Sequence, residues 1–362
     1  MKSKLEMLQE SGQAIWLDFI RRSFLHDGSF DKLIQQGIRG VTSNPSIFEK
    51  AIASNDEYDA DIRKLVIAEK DTMDIYESLA IADIQQAADM LRSLYDATQG
   101  ADGYVSLEVS PTLAHDTKGT VADAKRLRAA VNRPNLMIKI PATPAGIPAI
   151  EATLVAGINV NVTLIFSLQQ YEQTVEAYIK ALENRLAARQ DISHIASVAS
   201  FFVSRVDTAV DKKLEALGRT DLQGHAAVDN AKLAYQRFKH LFSGDRWKLL
   251  ADAGASAQRP LWASTGTKNP AYSDTLYVDT LVGPHTVNTI PPATLDAVLD
   301  HGQTAVTVED DIEEAKSRMA QLKNIGVDMD AITEKLLEEG VDAFAKSFQG
   351  LLDSVEAKRK QI

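Results

Sequence analysis

The chain has 362 residues, 45% hydrophobic and 25% charged, a balance that excludes collagen-like, mucin-like and disordered classes. With 39 Lys and Arg against 50 Asp and Glu, its formal charge is −11, so no overall field draws nucleic acid or an anionic membrane, and neither is expected as a partner. There is no cysteine, which excludes disulfides, thiolate nucleophiles, iron–sulfur clusters and Cys-built zinc sites, and fits a reducing, cytoplasmic setting.

The N-terminal MKSKLEMLQESGQ is polar and lacks the apolar core of a signal segment. No run approaches the ~18 apolar residues of a membrane span. Further along, short apolar runs alternate with helix-period stretches. The runs are Ala14–Phe19, Gly40–Ser43, Tyr104–Val109, Leu136–Pro141, Asn159–Phe166, Ile195–Val203, Arg259–Thr265 and His285–Ile290. Each is short and rich in Val, Ile, Leu, Phe or Trp, the pattern of buried parallel strands. Between them, Asp116–Val131 opens on an Asp cap, and Ser167–Arg189 on a Ser cap with Leu168, Tyr171, Val175, Tyr178 and Leu182 on one stripe. Eight strands interleaved with helices predict an α/β fold, a (β/α)8 TIM barrel, with a doubly wound open sheet as the alternative. Two helical insertions, about 57–98 and 204–254, exceed a minimal barrel. The segment 308–362 is helix-forming with one break near Gly326–Met329. No linker, repeat or low-complexity tract divides the chain, so residues 1–362 are expected to form a single domain.

The informative residues lie inside the strands. Period two places Ile15 and Leu17 opposite Trp16 and Asp18, and Val105, Leu107 and Val109 opposite Ser106, Glu108 and Ser110. It likewise sets Leu136, Ile138 and Ile140 against Met137 and Lys139, and Val160, Val162 and Leu164 against Asn159, Asn161 and Thr163. Thr42 leads to Asn44 after the second strand, and Ser200 shares a parity with Phe202. The apolar sets suit the helix-facing side. The polar set converges on the interior near the strands' C-terminal ends, where barrel active sites are built. Burying a lysine and two carboxylates costs several kcal/mol per ion unless they are paired. Enclosure lowers the pKa of an amine, and a neutral amine adds to a ketone or aldehyde to give a Schiff base. Two nearby carboxylates divide acid and base work. The seven His show no HxH or HExxH spacing, so no metal is expected. These residues point to amine catalysis on a carbonyl substrate.

Six spaced motifs carry a resemblance: GVTSNPSIFEKAI (Gly40–Ile52), LEVSP with HDT (Leu107–Thr117), NLMIKIPAT (Asn135–Thr143), INVNVTLIFS (Ile158–Ser167), ASFFVSRVD (Ala199–Asp207) and TIPPATL (Thr289–Leu295). Together they resemble the transaldolase family over nearly the whole chain, in its longer bacterial branch. The resemblance implies a barrel of the class I aldolase type in the pentose phosphate pathway. It implies transfer of a dihydroxyacetone unit from a ketose phosphate (sedoheptulose 7-phosphate or fructose 6-phosphate) to an aldose phosphate (glyceraldehyde 3-phosphate or erythrose 4-phosphate), with no cofactor. The partners it implies are small sugar phosphates, in a monomer or homodimer.

By the same resemblance Lys139 is the Schiff-base lysine, against a structural ion pair as the plainer account. Asp18 takes the proton of the C4 hydroxyl, against a strand-end cap or a salt bridge to Arg21 or Arg22. Glu108 works through a water as the carbinolamine dehydrates, oriented by Thr163; its plainer role is the partner of Lys139. Thr42, Asn44, Asn161, Ser200 and Phe202 bind substrate. Asn44, with Pro45 after it, equally suits a helix N-cap, and Ser200 and Phe202 equally suit interior filling. Arg205 and Ser264 hold phosphate, and Lys268 replaces an arginine that the family pattern places after the seventh strand, although an exposed loop lysine reads the same. His115 and Asp116 are expected to cap a helix, and the acidic run Glu309–Glu314 to be a solvated helix start. The alternatives in function are a fructose 6-phosphate aldolase-like lyase and a non-catalytic sugar-phosphate-binding barrel.

Overall fold

The computed structural model describes residues 2–53 and 55–361. Eight strands, β1 Gln13–Leu17, β2 Gly40–Thr42, β3 Tyr104–Glu108, β4 Leu136–Pro141, β5 Val160–Ile165, β6 Ser197–Phe202, β7 Arg259–Ala263 and β8 Thr286–Ile290, close into a barrel in chain order. Every neighbouring pair is parallel, and β8 returns to β1 in register from Gln13↔Thr286 to Leu17↔Ile290. Each strand lies within or overlaps its predicted run, and closure excludes the open-sheet alternative.

Interior packing obeys the period-two reading. Trp16, Gly40 and Tyr104 lie side by side across β1, β2 and β3. The Trp16 ring reaches over Gly40 towards Tyr104, with ring centroids 6.2 Å apart. A Cβ at position 40 would lie 2.6 Å from that ring, so the row closes only with glycine there. Above it, Asn161 Nδ2 donates to Ser106 Oγ at 3.0 Å and Ser200 Oγ donates to Asn161 Oδ1 at 2.6 Å. Those buried groups are satisfied by one another.

The expected alternation fails at one point. The β5–β6 register shifts between Val162 and Ile165, and Leu164 adopts a φ of 59°. A leucine in the left-handed region costs about 1–3 kcal/mol and is kept only where packing imposes it. This bulge sits directly after Thr163 and ends the regular pleat of β5 at the barrel mouth.

The predicted caps are in place except at His115, whose exposed side chain makes no cap hydrogen bond among the described residues and leaves the helix start to Asp116. Asp116 Oδ1 accepts from the Gly119 N–H at 3.0 Å at the start of Thr117–Val131. Ser167 and Gln170 form a capping box on Leu168–Ala187. Asn44 Oδ1 accepts from the Ile47 N–H at 3.0 Å, and Pro45 begins the helix Pro45–Ala53. Within 57–98 the helix Thr72–Met90 lies against β3, and within 204–254 the helix Ala226–Leu241 lies against β7. Amphipathic period alone did not distinguish these wall helices from their neighbours. The acidic run is an exposed helix start as expected: Glu313 and Glu314 lie in the first turn of Ile312–Asn324, and Glu309 makes a surface pair with Lys239. After a break at the predicted place, the helix Met329–Gln361 runs across the barrel mouth, packing on Pro45–Ala53, Thr72–Met90 and the end of β5.

Candidate active site

Glu108 ends β3, and its register partner on β4 is Lys139. Partners on adjacent strands share a face, so the pairing itself brings the two side chains together inside the mouth. Lys139 Nζ lies 3.5 Å from Glu108 Oε2 and donates to the Ser43 carbonyl at 3.2 Å. The two side chains are 6% and 5% exposed, so the amine is enclosed. Burial pushes the Glu108 carboxyl up to about 7, against the opposing pull of Lys139.

Asp18 comes directly after β1 on the same interior parity. Thr42 Oγ1 donates to Asp18 Oδ1 at 2.7 Å and lies 2.7 Å from Thr289 Oγ1, a relay of hydroxyls ending on the carboxylate. Burial raises the Asp18 carboxyl above its ordinary value; Lys139 and then Thr42 oppose the rise. The salt bridge considered for Asp18 is not made: Arg21 pairs with Glu57, and Arg22 with Asp61 and Asp83.

All but two of the residues singled out in the sequence line one cavity of about 170 Å³. Asp18, Thr42, Asn44 and Lys139 bound one part; Thr163, Ser200, Phe202, Arg205, Ser264 and Lys268 bound the rest. Asn161 does not reach it: its amide is held beneath by Ser106 and Ser200. Glu108 instead lines an adjoining cavity of about 370 Å³, which also touches Ser43 and Asn44. Glu108 Oε2 and Thr163 Oγ1 are buried without a hydrogen-bond partner in the protein. Buried polar atoms are seldom left so, and such atoms at a mouth suit a water or substrate group.

The cationic part comes from the segments after β6 and β7. Arg205, in the first turn of Ser204–Ala216, stacks over Phe202 with Cζ 5.2 Å from the ring centroid. Burial lowers its pKa, with Glu339 opposing. Among the described residues no carboxylate lies within 4.0 Å of its guanidinium. Ser264, whose φ is 54°, lies 2.9 Å through its hydroxyl from Ser204 Oγ. Lys268 is exposed at the rim. A forked cation, a hydroxyl and a second cation form a set that accepts a phosphate.

Several contributors escaped sequence reasoning. Thr289 shares the interior parity of β8 and was legible by the same alternation. Phe344 lines the cavity from the C-terminal helix, with its ring centroid 5.6 Å from Lys139 Nζ. No local signal in the sequence points to it. Among the described residues no group of three or more His, Asp or Glu is placed to hold a metal ion, and no helix is long and apolar enough to cross a membrane.

An enclosed lysine beside one carboxylate and sharing a cavity with a second, at the C-terminal mouth of an eight-stranded parallel barrel, defines an amine-centred (β/α)8 enzyme class. The sequence pattern described as Transaldolase/Fructose-6-phosphate aldolase matches residues 15–355. A protein named Transaldolase 2 from Nostoc sp. is 50% identical over 370 aligned residues, covering 98% of this chain and 97% of that one. One named Transaldolase from Thermobifida fusca is 51% identical over 360, covering 98% of each. Transaldolase 2 of Streptomyces coelicolor is 48% identical, covering 100% of this chain and 99% of its own. The chain belongs to the transaldolase/fructose-6-phosphate aldolase family.

Proposed function

We propose that the chain is a transaldolase that moves a dihydroxyacetone unit between sugar phosphates through a Schiff base on Lys139. The observation that carries this reading is the enclosure of Lys139 beside Glu108, with Asp18 facing the same cavity. The Lys139 amine adds to C2 of fructose 6-phosphate or sedoheptulose 7-phosphate. Glu108, which holds a proton up to about pH 7, delivers it to the departing hydroxyl of the carbinolamine, and Thr163 positions the water. Asp18 then takes the C4 hydroxyl proton. The C3–C4 bond breaks, its electron pair flows into the protonated imine, and the aldose phosphate departs. The enamine left on Lys139 attacks a second aldose phosphate, and the steps reverse, which implies ping-pong kinetics.

Thr42 holds the Asp18 carboxylate in place, and Asn44 and Ser200 meet substrate hydroxyls, with Asn161 orienting Ser200 from beneath. Phe202 forms a wall that also carries Arg205. Arg205, Ser264 and Lys268 take the phosphate. The reaction belongs in the pentose phosphate pathway, in the cytoplasm, a placement in keeping with a chain without cysteine. One domain spans the chain, a reading supported by the packing of Met329–Gln361 onto the barrel mouth.

Borohydride in the presence of fructose 6-phosphate, with intact mass and peptide mapping of the product, tests the reading. The expected result is a covalent adduct on Lys139, absent from a folded Lys139→Met variant. Binding of fructose 6-phosphate without an adduct favours a non-catalytic barrel instead. Release of free dihydroxyacetone at the same rate with and without erythrose 4-phosphate favours the lyase.

A further inference from the structure

We infer that Phe344, on the helix across the mouth, decides whether the bound three-carbon intermediate is transferred or lost to water. The inference rests on the Lys139 reading and concerns the fate of the intermediate once the carbon–carbon bond is cleaved.

The helix Met329–Gln361 presents Leu336, Gly340, Phe344 and Phe348 at four-residue spacing, one face laid on the barrel. At Gly340 the helix comes down onto the bulge of β5: a Cβ there would lie 2.9 Å from Leu164 Cδ2. One turn on, Phe344 is 6% exposed and lines the cavity. Its ring centroid is 5.6 Å from Lys139 Nζ. One further turn on, Phe348 packs edge-on against Tyr76 with centroids 5.5 Å apart, and it lines the cavity that holds Glu108. The helix is therefore seated on both sides of Phe344, and the ring is held over the amine rather than free to swing away. The nitrogen meets the Glu108 carboxylate, the Ser43 carbonyl and an apolar ring face.

After cleavage the intermediate is an enamine on Lys139. Two routes leave it. In transfer, C3 forms a bond to an aldehyde carbon, whose oxygen takes the proton held by Asp18. In loss, C3 takes that proton from Asp18 instead to give the imine, and Asp18 regains a proton when water is consumed. Water then adds at C2, the C2–nitrogen bond breaks, and free dihydroxyacetone and the Lys139 amine result. The sum of the second route is enamine plus water giving ketone plus amine. At this branch only the second route draws on water beside Nζ and C2; in transfer water adds there later, when the product imine is hydrolysed. An aromatic face at this distance denies water a hydrogen-bonding site there, and it favours the cationic imine that the forward reaction passes through. Strand residues supply the proton chemistry; the ring from the remote helix supplies the dryness.

The experiment measures dihydroxyacetone released per transfer event, with fructose 6-phosphate as donor and glyceraldehyde 3-phosphate as acceptor, in the full-length protein and in Phe344→Ala and Phe344→Leu. Borohydride trapping runs in parallel. Phe344→Ala is expected to keep the Lys139 adduct and to raise the ratio about tenfold or more, the equivalent of about 1.36 kcal/mol between the two routes. Phe344→Leu, which keeps bulk and loses the ring, is expected to raise it by less. A merely structural role would slow both routes together and leave the ratio unchanged. An unchanged ratio in both variants, with the adduct still formed, overturns the inference. Should Phe344→Ala fail to fold, an unchanged ratio in Phe344→Leu overturns it alone. Absence of an adduct in the unaltered protein overturns the Lys139 reading itself, a result distinct from either.

Discussion

Replacing Glu108 by glutamine separates proton delivery from binding. The substitution keeps shape and removes both the titrating proton and the charge 3.5 Å from Lys139 Nζ. At an effective dielectric of about 20, that charge attracts a lysine cation by about 5 kcal/mol before desolvation is counted. Removing one member of a buried pair costs about 3–5 kcal/mol, so the variant is compared only after its melting temperature is known. Loss of a positioned proton donor lowers rates by about 100- to 10,000-fold, and this loss falls on imine formation. The pH profile carries the sign. Burial raises the carboxyl from 4.5 to about 7, so it is a donor below about 7 and is lost as one above. The rate of borohydride-trappable imine formation therefore falls as pH rises through about 7 in the unaltered protein, and the Glu108→Gln profile lacks that limb. The same raised value means that the carboxyl contributes stability fully below pH 4.5, about 3 kcal/mol, which is lost as pH rises through about 7. Wild-type trapping rates in Glu108→Gln, with the limb near pH 7 intact, would refute the assignment of the proton to this residue.

Asp18→Asn leaves the imine-forming groups in place and removes the acceptor of the C4 hydroxyl proton. Borohydride then fixes the whole six-carbon sugar phosphate on Lys139 rather than a three-carbon fragment; an unchanged yield of the three-carbon adduct on mass measurement excludes the role. Arg205→Ala removes a half-buried guanidinium with no carboxylate within 4.0 Å among the described residues. Charge-assisted hydrogen bonds of about 1.5–3 kcal/mol correspond to a rise in KM for fructose 6-phosphate of about 10- to 150-fold, with KM for unphosphorylated fructose unmoved. Lys268→Ala, at the exposed rim, changes the same KM by about fivefold at most; a larger effect from Lys268 than from Arg205 in steady-state kinetics refutes the ranking.

The strand chemistry was legible because a parallel barrel makes it local. A lysine at an interior strand position, flanked by isoleucines at 138 and 140, has no stability argument in its favour, and alternation alone assigns its side. The neighbour relation was less direct: that Glu108 faces Lys139 depends on β3–β4 register, which no single run states. Asn161 shows the limit of parity. It lies on the interior face as read, yet Ser106 and Ser200 consume its amide below the cavity, because distance along the barrel axis is not written in period two. Leu164 and Phe344 were illegible for a common reason. Propensity places a leucine at a negative φ, and nothing near residue 344 speaks of residue 139. At Gly340 the helix backbone comes close to the end of β5, where a Cβ would lie 2.9 Å from Leu164 Cδ2. Contacts between segments far apart in the chain thus meet at the bulge after Thr163 and one turn from the Phe344 ring that lies over the amine. The groups that carry protons are encoded within single strands, whereas the enclosure that shields them depends on packing across the whole fold.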